Sequence, residues 1–211
     1  RETKKDILLA IIFLILPILF YLYGLTSKKT FLASDDIVYD YKVRAIGTNI
    51  SLDRFYKNID PILVIKDLID LSKPEINEKT IFVWPEGILP GISQKELIEY
   101  KWLFENRFSD NHLLAVGTNS QISKDGNINY FNSLSIYDKN LHLINAYNKV
   151  NLVPFGEFLP FENILKNFGL RVITNNYQSF SKGEKREIME IEEKDFSFRI
   201  LPLICYEIIY S

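Results

Sequence analysis

Glu86, Lys149 and Cys205 are the residues of this chain whose types suit covalent acyl transfer. Each sits on or just beyond an apolar run: Val83-Trp84-Pro85-Glu86, the stretch from Asn148-Lys149 to Pro154-Phe155-Gly156-Glu157, and Leu203-Ile204-Cys205-Tyr206-Glu207. A free thiol, with a pKa of about 8.5, is only a few per cent thiolate at neutral pH, so a base or cation must raise its reactive fraction. Glu86 is the candidate base. When sulfur attacks an acyl carbonyl an oxyanion develops, and a fixed cation in a water-poor site stabilises it. Lys149 is the candidate cation, and Cys205 is the only thiol in the sequence.

Each candidate also has a structural reading. Pro85 after a buried run ends a ladder, so Glu86 alone reads equally as a solvated carboxylate at a strand end. Lys149 alone reads as a surface lysine. Cys205, in Leu-Ile-Cys-Tyr, reads as an inert core thiol, and Pro154 with Gly156 as the shapers of a turn. Only the three strings taken together favour a site.

Alternating strand and helix signals position these strings. Val43 to Ile50 reads as a strand, and Pro61 to Leu71 as a helix with Ile62, Ile65, Leu68 and Ile69 on its buried face. Thr80 to Trp84 is the next strand. Leu97, Ile98, Trp102 and Phe108 mark Gln94 to Phe108 as a second amphipathic helix, and His112 to Thr118 is a third strand. Asn132 to Tyr137 and Leu141 to Tyr147 are short β runs, and Asp125-Gly126 is a turn signal. A last pair, Arg186 to Glu192 and Phe196 to Ile204, flanks Glu193-Lys194-Asp195. Such an order suits a layered α/β domain.

At 211 residues the chain holds one domain with a sizeable core. Its formal net charge of −2, without a dense basic cluster, gives no case for nucleic acid. One cysteine excludes an internal disulfide. His112 and His142 lie in strand-like runs without neighbours at ligand spacing, so structural roles and no metal are expected. Ile7 to Leu25 carries no charge, and about nineteen residues at 1.5 Å each match the ~30 Å hydrocarbon core, so this stretch can span a membrane. Lys4 and Lys5 precede it and Lys28 and Lys29 follow, which leaves orientation unassigned by charge. A cleaved signal peptide is disfavoured, because the apolar run is too long and Phe31-Leu32-Ala33-Ser34 is a poor cleavage site.

Together the three strings resemble the carbon–nitrogen hydrolase, or nitrilase, superfamily with its Glu-Lys-Cys triad, and within it the apolipoprotein N-acyltransferase family. Branch-specific marks are Trp84-Pro85-Glu86, the run Leu152 to Pro160, and Ile204-Cys205-Tyr206-Glu207-Ile208; Asn49-Ile50, Tyr130-Phe131-Asn132-Ser133 and Phe180-Ser181-Lys182-Gly183 are softer matches. The likeness runs from about Tyr41 to Tyr210. It implies a nitrilase-like α-β-β-α sandwich, with residues 1–30 as a membrane anchor around a helix at about 7–25 and residues 31–211 as the catalytic domain. Because that family carries further strands after the nucleophile and further membrane helices, the chain reads as a fragment, incomplete at the C-terminus, and negligible transfer is expected from it alone.

The implied activity moves an acyl chain from a phospholipid to the N-terminal cysteine amine of a diacylated lipoprotein, without a cofactor. Glu86 would serve as base, Lys149 as oxyanion partner and Cys205 as nucleophile. Glu157 would orient Lys149 or Glu86, while Tyr206 and Glu207 would shape the nucleophile's surroundings. The implied location is the bacterial inner membrane, with the catalytic domain on the periplasmic side. Two other readings stay open: a membrane-tethered amidase or nitrilase using water as acceptor, and a non-catalytic remnant of a split gene.

Overall fold

The computed structural model describes residues 2–33, 38–48, 60–89, 91–124, 126–161 and 179–210. Two compact units divide the chain, Arg1–Tyr39 and Asp40–Ser211. In the first, helix α1 spans Glu2–Leu32 with Pro17 inside it, and its Thr3–Leu32 stretch is long and apolar enough to cross a membrane. This helix outruns the apolar stretch at both ends, since the flanking Lys and Glu residues are themselves good helix formers.

The second unit begins with β1 (Lys42–Ala45) and α2 (Pro61–Ser72). Asp60 caps α2 by accepting the Ile62 N–H at 2.9 Å, Pro61 occupies the first turn where no N–H is needed, and Lys73 ends the helix at φ 44. Val64, Ile65, Leu68 and Ile69 form its buried face, at the three- and four-residue spacing of one helix side. Then follow β2 (Thr80–Trp84), β3 (His112–Lys124), β4 (Asn127–Tyr137) and β5 (Leu143–Asn148). They form one mixed sheet in the order β1-β2-β3-β4-β5, parallel across β1, β2 and β3 and antiparallel across β3, β4 and β5. Strands β6 (Met189–Glu193) and β7 (Phe196–Ile200) pair separately as a hairpin.

Period-two alternation assigns the two sheet faces. Phe82, Trp84, Leu114 and Val116 pack with α2 and with Leu97, Phe104 and Phe108. Ile81, Leu113, Ala115, Ile136 and Tyr147 pack with Met189, Ile191, Phe196 and Phe198 of the hairpin. The described residues therefore stack as helix, sheet and second sheet in a mixed α/β arrangement.

Several elements differ from the sequence reading. β1 ends at Ala45: Ile46 N–H still reaches the Val83 carbonyl at 2.9 Å, but Pro85 has no N–H to continue the ladder. Residues 49–50 lie outside those described. The second predicted helix is a 3₁₀ stretch, Glu96–Leu103, followed by turns. With three residues per turn Leu97, Tyr100 and Leu103 line up towards the core, which leaves Ile98 and Trp102 outside, Trp102 at 55% exposure. Strands β3 and β4 extend to Lys124 and Asn127, because their hairpin continues past the apolar residues through Thr118, Ser120, Ser133 and Ser135. These hydroxyls are buried and pair across strands, Thr118 with Ser135 and Ser120 with Ser133, both at 2.8 Å. The last pair is shorter than predicted, beginning at Met189 and ending at Ile200.

His112 is buried in β3, its Nδ1 accepting the Ser109 N–H at 3.0 Å and its Nε2 lying 3.0 Å from the Glu75 carbonyl. Burial lowers its pKa and favours the neutral ring. Phe82, fully buried, meets the rings of Phe108 and His112 edge-on at 5.5 and 5.3 Å. Phe82→Ala should cost about 3–5 kcal/mol, read by chemical denaturation of the detergent-solubilised chain; a loss below about 1 kcal/mol would show that this core repacks freely.

Candidate active site

Glu86 enters the site from the end of β2. Trp84 just before it is anchored on α2, its indole N–H donating to Ser72 Oγ at 3.0 Å while that hydroxyl donates to the Leu68 carbonyl at 2.7 Å. Beyond Trp84 the Pro85-Glu86 backbone crosses β3 at Gly117, where a Cβ would lie 2.6 Å from Glu86 Cα and 2.8 Å from the Pro85 oxygen. Only glycine admits that crossing.

Lys149 follows β5, and its backbone N–H donates to the Asn132 carbonyl of β4 at 2.8 Å. Far from being a surface lysine, it is 1% exposed. Its Nζ donates to Glu157 Oε1 at 3.0 Å and to Glu86 Oε1 at 3.3 Å. On the other side Gly183 presses against the same backbone, donating its N–H to the Lys149 carbonyl at 2.9 Å; a Cβ there would come within 2.1 Å of the Asn148 oxygen. Glu157 is held by its own turn, in which its N–H donates to the Val153 carbonyl and its Oε2 accepts the Val153 N–H, both at 2.8 Å. Asn132 completes the group by donating from Nδ2 to Glu86 Oε1 and, at 2.6 Å, to Glu157 Oε1.

Electrostatics follow from this packing. Burial alone would favour neutral Lys149, but the hydrogen bond to Glu157 and the charges of Glu86 and Glu157 outweigh it and hold the ammonium above the ordinary lysine value. The site cation is thus fully charged at neutral pH.

A second buried carboxylate, Glu207, ties the Cys205 turn to the segment after Lys149. Its Oε1 accepts from Val150 N, Asn151 N and the Tyr147 hydroxyl at 3.0, 2.9 and 2.9 Å, and its Oε2 from Ile204 N at 3.0 Å. Arg186 lies 3.9 Å from the same group. Tyr206 adds a hydroxyl donated to the Leu152 carbonyl at 2.7 Å, and its ring stands 5.6 Å from Lys149 Nζ. Cys205 opens the Cys205–Tyr210 3₁₀ turn; it is exposed rather than a core thiol, with its backbone at φ 54. A side chain in that left-handed region costs about 1–3 kcal/mol and persists where its surroundings impose it. Here the imposing bonds come from Glu207 and Tyr206.

The structure thus joins Glu86, Lys149 and Glu157 in one hydrogen-bonded group. It links Cys205 to that group through Tyr206 and Glu207, and among the described residues the thiol bonds to neither Glu86 nor Lys149. Sequence reasoning did not assign a role to Asn132, Gly117 or Gly183. Two of these were visible in Tyr-Phe-Asn-Ser and Phe-Ser-Lys-Gly, while Gly117 sits in a strand where an interior glycine signals close backbone approach.

A cavity of about 470 Å³ is walled by Val150, Asn151, Leu152, Phe158, Phe180 and Tyr206, with Lys182 its only charged lining among the described residues. A larger groove, about 930 Å³, runs along β4, β5 and residues 181–190, and none of Glu86, Lys149 or Cys205 lines either space. The smaller cavity has the size and apolar lining of a ligand site.

Burial alone pushes Glu207 towards protonation, but donors from Asn151, Ile204, Tyr147 and Val150 reverse this and hold its carboxyl below the usual range. A depressed folded-state pKa stabilises the fold above the unfolded value of about 4.3, and that stability is lost as pH falls through the folded value. Glu207→Gln should therefore lower stability at neutral pH and flatten its decline between about pH 5 and pH 3. Thermal unfolding of both chains across that range checks this, and parallel curves would contradict it.

No family model matches the chain. Relatives named apolipoprotein N-acyltransferase include one from Rhizobium leguminosarum bv. trifolii, 33% identical over 62% of this chain and 24% of its own length. Others come from Brucella suis, 28% identical over 80% and 32%, and Rhodopseudomonas palustris, 25% identical over 85% and 34%. Among solved structures, an N-terminal amidase with Asn-Glu-Ala peptide matches 53% of this chain and 28% of its own at 17% identity and a TM-score of 0.36. A CN-hydrolase superfamily protein from Xanthomonas campestris matches 72% and 49% at 15% identity and a TM-score of 0.38. By sequence the chain is similar to proteins named apolipoprotein N-acyltransferase, and it spans between 24% and 34% of the length of these relatives.

Proposed function

We propose that the chain carries the acyl-transfer centre of a membrane N-acyltransferase, with Glu86, Lys149 and Cys205 in the chemical roles and Glu157, Tyr206 and Glu207 in support. The observation that carries this reading is the buried Lys149 ammonium between Glu86 and Glu157, in a chain similar to proteins of that name. The apolar cavity lined by Val150 and Tyr206 suits an acyl chain.

In the first half-reaction Glu86 takes the Cys205 proton as sulfur attacks the ester carbonyl of a phospholipid. The tetrahedral oxyanion lies against Lys149. As it collapses the C–O bond breaks, the departing alkoxide takes the proton from Glu86, and lysophospholipid leaves a Cys205 thioester. In the second half the N-terminal amine of a diacylated lipoprotein attacks that thioester. Glu86 accepts an amine proton, the C–S bond breaks, and the proton returns to sulfur. Both substrates are membrane lipids, which gives the α1 span its use, and the proposed site is the outer side of the bacterial inner membrane.

Trapping acyl-enzyme from labelled phospholipid, in membranes containing the chain joined to the residues that follow the matched region in a relative, tests the chemistry. Labelling of the parent should vanish in Cys205→Ala, and fall by about 10² or more in Lys149→Ala and Glu86→Gln. Cys205-independent labelling would overturn the assignment. The location has its own check: protease added to intact spheroplasts should digest residues beyond Lys29, and protection until lysis would place the domain on the cytoplasmic side.

A further inference from the structure

Asn132 occupies a position that no simple packing role requires. It is buried, yet its Nδ2 faces two carboxylates at once, Glu86 Oε1 and Glu157 Oε1, and its backbone carbonyl holds the Lys149 N–H. Two carboxylate oxygens against the same end of an amide identify that end as NH₂, since the carbonyl end has no hydrogen to offer. An N–H donor needs a lone pair, so Asn132 occupies one on Oε1 of each carboxylate and fixes how both groups are turned.

The two oxygens of Glu86 are consequently unequal. Oε1 accepts from both Asn132 and Lys149, whereas among the described residues Oε2 accepts from no protein donor, and the side chain is 35% exposed. A general base needs an oxygen whose lone pair is not already engaged. We infer that Asn132 is a positioning residue that fixes the Glu86 carboxylate through Oε1 and commits its Oε2 to proton transfer. The inference rests on the reading of Glu86 as the base. The charged groups facing Glu86 are the Lys149 ammonium and, across Asn132, the Glu157 carboxylate; the Tyr206 ring faces Lys149.

Asparagine suits this position better than its near-isostere. Aspartate would set a third carboxylate against two others beside a single ammonium, which like-charge repulsion opposes until it takes up a proton. Protonated, it regains one donor. A residue that merely filled space would show neither dependence.

The test uses the full chain in detergent and two readouts. In the first, thermal midpoints of the parent, Asn132→Ala and Asn132→Asp are measured from about pH 4 to pH 8. The deficit of each variant should grow as pH rises, because the carboxylates ionise without their donor; midpoints parallel to the parent's would overturn the inference. Asn132→Asp preserves volume and stands in if the alanine variant does not fold. In the second, the rate of Cys205 labelling by acyl phospholipid is followed against pH. Asn132→Ala should displace the acid limb, while an unmoved limb with a uniformly lower rate would leave Asn132 only structural and refute the inference. If the parent fails to label, the thermal readout alone decides whether Asn132 holds the two carboxylates in place.

Discussion

Burying the Lys149 ammonium is the constraint from which the rest of this architecture follows. Removing an ion from water costs several kcal/mol even after relaxation, and only well-placed opposite charge with satisfied hydrogen bonds offsets it. Glu157 arrives from a turn eight residues downstream, Glu86 from the end of a different strand, and Asn132 from the strand between them. With two carboxylates against one ammonium the group carries a formal excess of negative charge. Its cation is therefore held in the charged state.

Two backbone crossings make that convergence possible. At Gly117 the Pro85-Glu86 segment lies on β3, and at Gly183 a later segment lies on the Asn148-Lys149 peptide. Side chains at either point would move the two charged partners apart. Glu207 plays the matching part for the Cys205 turn: one carboxylate gathers the N–H groups of Val150, Asn151 and Ile204, so the loop after Lys149 and the segment before Cys205 share one anchor. Truncating it would take this acceptor from the Asn151 and Ile204 N–H groups, while Val150 N–H would keep the Tyr147 hydroxyl at 3.3 Å.

What could be read from the sequence follows a clear physical division. Thr80–Trp84 and the α2 face were legible because alternation and helical spacing are local properties of apolar residues. The 3₁₀ stretch was not: Ile98 and Trp102 fit a 3.6-residue period as well as Leu97 does, and only packing against Phe104 and Phe108 selects the three-residue one. The long β3–β4 pair was missed because its outer half is held by buried hydroxyls rather than apolar residues. Glu86, Lys149 and Glu157 stood out as charges in apolar or bent contexts. Asn132, a neutral residue in a strand, carries no such signal, and its two acceptors lie 46 and 25 residues away.

The sheet topology also sets an order of assembly. β3, β4 and β5 succeed one another with short connections, Lys124 facing Asn127 at the first turn, so their pairing closes small loops at low entropic cost. β2 must join β3 in parallel across the whole 3₁₀ region, a larger and slower closure. The meander thus brings Asn132 beside Lys149 early, and Glu157 needs only its own turn to reach them. Glu86, 63 residues from the lysine it pairs with, is the late arrival. Until β2 docks, the ammonium has one anion and keeps its water on the other side. Drying of the site and completion of the sheet become a single event, so a chain arrested before that step would present a wet, half-paired lysine to its surroundings.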